Sequence, residues 1–129
     1  MYTFEKMITM KIQKEIRSFG YAFSGIAQLF KTERHAKFHA CATICVILAG
    51  FFFAITTTEW IAVVFAIGMV IAAEAFNTTI EILSDEVCSS QNEHIGQVKN
   101  IAAGAVLVCA IAAAAIGVMI FLPYLIALI

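Results

Sequence analysis

The chain has 129 residues, 62% of them hydrophobic and 13% charged, with a formal net charge of −1. That composition excludes an average soluble domain, and the length excludes two domains, leaving a single membrane domain. Its charge is unevenly spread: Lys6, Lys11, Lys14, Arg17, Lys31, Arg34 and Lys37 precede the first apolar run, and Lys99 alone follows it.

Residues 1–35 are expected to form an amphipathic helix on the membrane surface. Phe19, Phe23, Ile26, Ala27 and Phe30 recur at the spacing of one helical face, and Ile8, Ile12 and Ile16 extend it backwards. Lys and Arg fill much of the other face, as in a helix lying on an anionic leaflet. The same pattern also suits a soluble helix packed on protein. In either case Arg17, Tyr21 and Glu33 come to lie near the membrane surface. Gly20 and Gly25 belong to neither a GxGxxG nor a GxxxxGK[ST] phosphate loop. No cleavable leader is expected, because the first apolar run begins only near residue 38 and no cleavage-type site follows it.

Residues 38–56 form the first expected span, 19 residues long and so about one bilayer core thick at about 1.5 Å per residue. A lone His39 at its mouth fits an interfacial hydrogen-bonding residue better than a ligand. Cys41 and Cys45 stand one helical turn apart, and with Cys88 and Cys109 they offer no CxxC pair and no zinc-type spacing, so they read as packing residues. The connection Thr57–Glu59 is short and carries no Lys or Arg, which makes the first two spans an antiparallel hairpin. Trp60 sits where an interface anchor belongs.

The second expected span, residues 60–83, carries the chemistry-bearing row. Asn77, Glu81 and Asp85 follow Glu74 by three, seven and eleven positions, so all four fall within about 80° of one helical face, with Thr78 beside them. Glu81 and Asp85 taken alone could be interfacial caps. Glu74 could not, being flanked by Ile71, Ala72, Ala73, Ala75 and Phe76. A carboxylate within a span costs about 2.5–3.5 kcal/mol on insertion scales and marks a functional site by default.

A polar stretch, residues 84–97, reads as a loop. The third expected span, 100–122, is rich in Ala and Gly at spacings that permit close helix approach, and Pro123 falls near its far end, where a break is tolerated. No internal repeat is visible. The basic N-terminal region is expected in the cytoplasm, which places Glu33, Glu81, Asp85, Asn92 and Lys99 on that side. Glu74 lies about 10 Å deeper than Glu81, so its reaction partner must be reached from within the bilayer. A lipid hydroxyl meets that requirement and a soluble sugar does not.

The segment EAFNTTIEILSD, residues 74–85, resembles the signature of the small prokaryotic membrane lipid kinases, the diacylglycerol kinase and undecaprenol kinase family: Glu, two residues, Asn, Ser or Thr, a small residue, Ile, Glu, three residues, Asp. The resemblance extends from about Arg17 into the third span. It implies an all-α membrane protein, one surface helix plus three spans, assembled as a homotrimer with sites shared between subunits. It also implies ATP as phosphoryl donor, Mg2+ as cofactor and a membrane lipid as acceptor.

Phosphoryl transfer is largely positioning plus charge neutralisation. Magnesium takes carboxylates and leaves room for phosphate oxygens; Glu33 and Glu81 are the surface-level carboxylates, and the family's matching positions hold it. Glu74 is placed to act as general base on the acceptor hydroxyl, as the matching family position does. By resemblance, Asn77 and Asp85 orient the site, while Arg17, Tyr21, Ser90, Gln91, Asn92, Lys99 and Asn100 stand at the nucleotide. A Lys near phosphates is also expected physically.

The chain departs from the family pattern at two of these positions. Asn100 stands where the family usually has Asp after the Lys, and Asn92 where it usually has His, with His94 two residues on. A carboxylate at 100 could hold the Lys99 ammonium, so its loss implies weaker ATP binding with the chemical step intact. Ala103, in the segment AAGAVL, leans towards the undecaprenol branch, since the diacylglycerol branch tends to carry Ser nearby. Diacylglycerol is the alternative acceptor. A small proton-coupled transporter using Glu74 as its proton site is the alternative of a different class, but it has no need of Glu33, Glu81, Asp85 and Lys99 on one membrane face.

Overall fold

The computed structural model describes residues 3–129, so residues 1 and 2 of the expected surface helix lie outside the described residues. It contains four α-helices and, among the described residues, no strand: α1 Phe4–Thr32, α2 Arg34–Phe52, α3 Thr57–Val87 and α4 Glu93–Ile126. The last three are long and apolar enough to cross a membrane.

α1 is exposed along nearly its whole length, including Ile8, Ile12, Ile16, Phe19 and Phe23, and only Leu29 near its end is buried. The break to α2 is one extended residue, Glu33, at φ −94°, ψ 122°. Just before it the Thr32 hydroxyl donates to the Gln28 carbonyl at 2.9 Å, the back-bonding that bends and weakens helices.

The turn between α2 and α3 falls earlier than Thr57–Glu59, at residues 53–56. Two complementary caps make it compact. The N–H of Ile55 donates to Gly50 O at 3.1 Å and that of Ala54 to Phe51 O at 3.2 Å, with Ala54 left-handed at φ 50°. These are the paired bonds of a Schellman ending, and its apolar partner Ile55 is buried. Thr56 then opens α3 with a capping box: Thr56 Oγ1 accepts from Glu59 N–H at 3.3 Å, and Glu59 Oε2 accepts from Thr56 N–H at 2.8 Å. Read by polarity, Thr57–Glu59 resembled a loop; in the structure they are the first helical turn.

The same end of the bundle holds the apolar cluster of Ile55, Val63 and Ile120, with Phe53, Trp60 and Tyr124 packed around it. The Tyr124 hydroxyl of α4 donates to Glu59 Oε2 at 2.7 Å, tying α4 to the hairpin tip. Gly50 lets the Trp60 ring lie against the α2 backbone, where an added Cβ would come 2.6 Å from the ring. Gly→Ala inside a helix normally gains about 1 kcal/mol. Here overpacking reverses the sign, and Gly50→Ala is expected to cost about 1–3 kcal/mol, seen as a lower melting temperature in detergent. An unchanged or raised melting temperature would show that the ring yields freely.

α3 and α4 pack along their length, and α2 lies less closely against α3. The connection between α3 and α4 is much shorter than the polar stretch 84–97: α3 continues to Val87, α4 begins at Glu93, and only residues 88–92 are non-helical. Asp85, Glu86 and Gln97 are exposed polar residues at these helix ends, whereas Ser84 is buried. Pro123 does not end α4, which continues to Ile126. Cys41 and Cys45 are exposed on α2 rather than packed within the chain, and all four cysteines are free.

Candidate functional site

α3 carries the acidic row, and its neighbours treat each member differently. Glu74 is only 4% exposed. Its Oε1 lies 3.1 Å from Nε2 of His39 on α2, so the imidazole read as a lone interfacial residue is the polar partner of the buried carboxyl group. Next along the face, Asn77 Oδ1 and Thr78 Oγ1 are buried with no hydrogen-bond partner. Thr79, on the adjacent face, does bond its own helix, donating to Ala75 O at 2.8 Å. Both atoms lie one turn from the buried Glu74, where polar atoms usually find a partner.

Beyond them Glu81 is exposed, Ser84 buried and Asp85 exposed. Asp85 Oδ1 pairs with the ammonium of Lys99 on α4. Lys99 thus sits beside Asp85 and within the field of Glu81. The carboxylate that holds Lys99 comes from α3, not from position 100, where Asn100 is exposed.

Asp85, Ser90, Gln91, Asn92 and Lys99 line one polar cavity of about 680 Å³. The fold therefore brings together the acidic end of the row and the three loop residues read as nucleotide contacts. Asn92 has a structural task within it: Oδ1 accepts from His94 N–H at 3.0 Å and Ile95 N–H at 3.3 Å, capping α4. Ser90 O accepts from the Cys88 thiol at 3.3 Å. Arg17 and Tyr21 are exposed on α1 and line neither this cavity nor the one below, and Ala103 is exposed on α4.

Glu33 is half-buried at the α1–α2 junction. Among the described residues no ion pair engages Glu33 or Glu81, and no three His, Cys, Asp or Glu groups cluster as a metal site.

A second cavity, about 290 Å³ and almost wholly apolar, runs between α2, α3 and α4. Phe38 and His39 line it from α2, Val70 and Ala66 from α3, and Ile116 and Gly117 from α4. Glu74 is one helical turn above Val70. The carboxylate thus stands at the head of an apolar groove, with His39 touching both.

Sequence reasoning read His39 as an interfacial hydrogen-bonding residue, without its partner, and gave Thr78 no role. A signal for His39 was present: a buried carboxylate needs a partner, and His39 is the only basic residue inside the three expected spans.

Residues 20–121 match the family described as prokaryotic diacylglycerol kinase. The chain is 35% identical over 115 residues to the undecaprenol kinase of Bacillus subtilis (strain 168), covering 89% of this chain and 94% of that one. It is 30% identical over 112 residues to the diacylglycerol kinase of Synechocystis sp. (strain ATCC 27184 / PCC 6803 / Kazusa), covering 86% of this chain and 64% of that one.

Proposed function

The chain belongs to the prokaryotic diacylglycerol kinase family, and from that premise we propose that this lipid kinase phosphorylates undecaprenol, with ATP as donor and magnesium as cofactor. The observation that carries the reading is Glu74, 4% exposed inside a membrane-crossing helix, at the head of an apolar groove and below a polar cavity that holds Lys99. An acceptor whose tail occupies hydrocarbon and whose hydroxyl must lose a proton fits that arrangement.

Each group then has a task. Glu74 takes the proton from the lipid hydroxyl as it attacks. The unpaired Asn77 Oδ1 and Thr78 Oγ1 are available to orient the headgroup or phosphate-bound water. Lys99, steadied by Asp85, neutralises phosphate charge in the polar cavity. Ser90 and Gln91 line that cavity for the nucleotide, and Asn92 shapes it by capping α4. Glu33 and Glu81 offer carboxylates with no ion-pair partner among the described residues. That suits a hard cation held by one or two carboxylates and completed by nucleotide phosphates, not by an all-protein cage. Bound there, magnesium would supply charge neutralisation at the transferring phosphoryl group.

Seven of the eight Lys and Arg residues precede the first span, which supports a cytoplasmic N-terminal side and places the nucleotide end of the site there. Arg17 and Tyr21 stand apart from the cavity within one chain. In the proposed homotrimer they reach the nucleotide, and Glu33 meets the acidic row, across subunits.

The identity to an undecaprenol kinase over 94% of its length, together with Ala103, favours undecaprenol. The Synechocystis relative and the family's description favour diacylglycerol as the second reading. Purified protein incubated with labelled ATP and a panel of membrane lipids decides. Undecaprenyl phosphate is expected as the main labelled product, preferred over phosphatidic acid by about tenfold, the scale of about 1.4 kcal/mol of discrimination. Dominant labelling of diacylglycerol would transfer the assignment to the second reading, and no labelled lipid at all would end both.

A further inference from the structure

We propose that His39 is a positioning residue for this reaction, holding the Glu74 carboxylate at the mouth of the apolar groove, an inference that rests on the lipid-kinase reading with Glu74 as base. The geometry is direct: Nε2 of His39 lies 3.1 Å from Glu74 Oε1, with the His side chain 18% and the Glu side chain 6% exposed. The same imidazole lines the groove. No other polar partner meets Glu74 among the described residues. Lys99 is taken by Asp85, and the nearby buried atoms of Asn77 and Thr78 are unpartnered.

Chemistry requires such a partner. A glutamate side chain has three rotatable bonds, and ordering it costs about 1.5–2 kcal/mol. Its nearest polar neighbours on α3, one turn along the same face, are Asn77 and Thr78, whose buried Oδ1 and Oγ1 form no hydrogen bond and so do not hold it. A base must sit about 2.6–3.2 Å from the proton it removes, and a misplacement of about 1 Å costs about 100-fold. The imidazole supplies a fixed contact and a hydrogen-bonding partner for a carboxyl group removed from water. The ring is itself held from the side, with Phe38 edge-on at 5.6 Å between centroids and 74° between planes. α2 therefore does more than cross the membrane: it delivers one contact to α3 at the depth where the lipid hydroxyl arrives.

The test is a rate comparison of wild type, His39→Phe, His39→Gln, Glu74→Gln and the Phe/Gln double variant, with turnover and the KM for ATP measured separately. Phe keeps the ring and removes the nitrogen, so turnover is expected to fall about 10- to 100-fold with the KM for ATP within about twofold. Gln places an amide N–H2 where Nε2 was and is expected to recover turnover to within about fivefold of wild type. Adding His39→Phe to Glu74→Gln should cost nothing further, because the two act as one unit. Should His39→Phe fail to fold, His39→Met, apolar and adaptable, carries the same expectation. The inference is overturned by near-normal turnover in the apolar variant, by a raised KM for ATP with turnover intact, or by losses that multiply in the double variant. If wild type is active, Glu74→Gln is dead and His39→Phe is normal, this inference alone falls. If wild type labels no lipid, the lipid-kinase reading falls and takes this one with it.

Discussion

Replacing Glu74 by Gln is expected to lower lipid phosphorylation by about two to four orders of magnitude, the usual contribution of a general base. The substitution keeps the shape of a side chain that is 4% exposed and removes only its ability to take a proton. Binding of ATP should persist, because Lys99, Asp85 and the loop 88–92 belong to a separate cavity that Glu74 does not line. Folding should persist as well: the isosteric amide keeps a hydrogen-bonding group within reach of His39 Nε2. The measurement is turnover beside the KM for ATP and the melting temperature in one detergent preparation. Turnover within a few-fold of wild type would remove Glu74 from the mechanism. A large drop in melting temperature would mean that its charge is needed for assembly.

The second large effect is expected at the far end of the row. Lys99→Gln should reduce kcat/KM for ATP by about 10- to 100-fold, the equivalent of about 1.5–3 kcal/mol for one hydrogen bond to a charged group. Asp85→Asn should cost less, about tenfold at most, because the ammonium remains but loses the carboxylate that steadies it. Asn100→Asp separates the two sources of that carboxylate. If position 100 were the one lacking, restoring Asp there would tighten ATP binding several-fold. Since Asp85 already holds Lys99, the expected change is within about twofold. A clear gain in Asn100→Asp would show that the nucleotide draws on residue 100 directly, while an unaffected Lys99→Gln would displace the phosphate from the polar cavity altogether.

The helical class, the three apolar segments and the single face shared by Glu74, Asn77, Glu81 and Asp85 were legible in the residue order. These are local properties: span length is set by bilayer thickness, and a shared face by helical pitch, and neither depends on which helix is the neighbour. The signature at residues 74–85 was legible for the same reason, being contiguous in the chain. Helix ends were less so, because polarity was read as loop; Thr57–Glu59 and Glu93–Gln97 are polar helical turns near water, stabilised by a capping box and by the Asn92 cap. The pairing across helices emerged only with the fold: His39 with Glu74, Lys99 with Asp85, Tyr124 with Glu59, and the groove between α2, α3 and α4. In a soluble protein an apolar stripe announces which face is buried. Within lipid that signal vanishes, because hydrocarbon is as apolar as any core side chain and a helix such as α4 is apolar on every side. The polar residues then carry the information about which helix meets which, and they do so only in pairs, each half of which looks like an isolated interfacial residue until the fold places it beside the other.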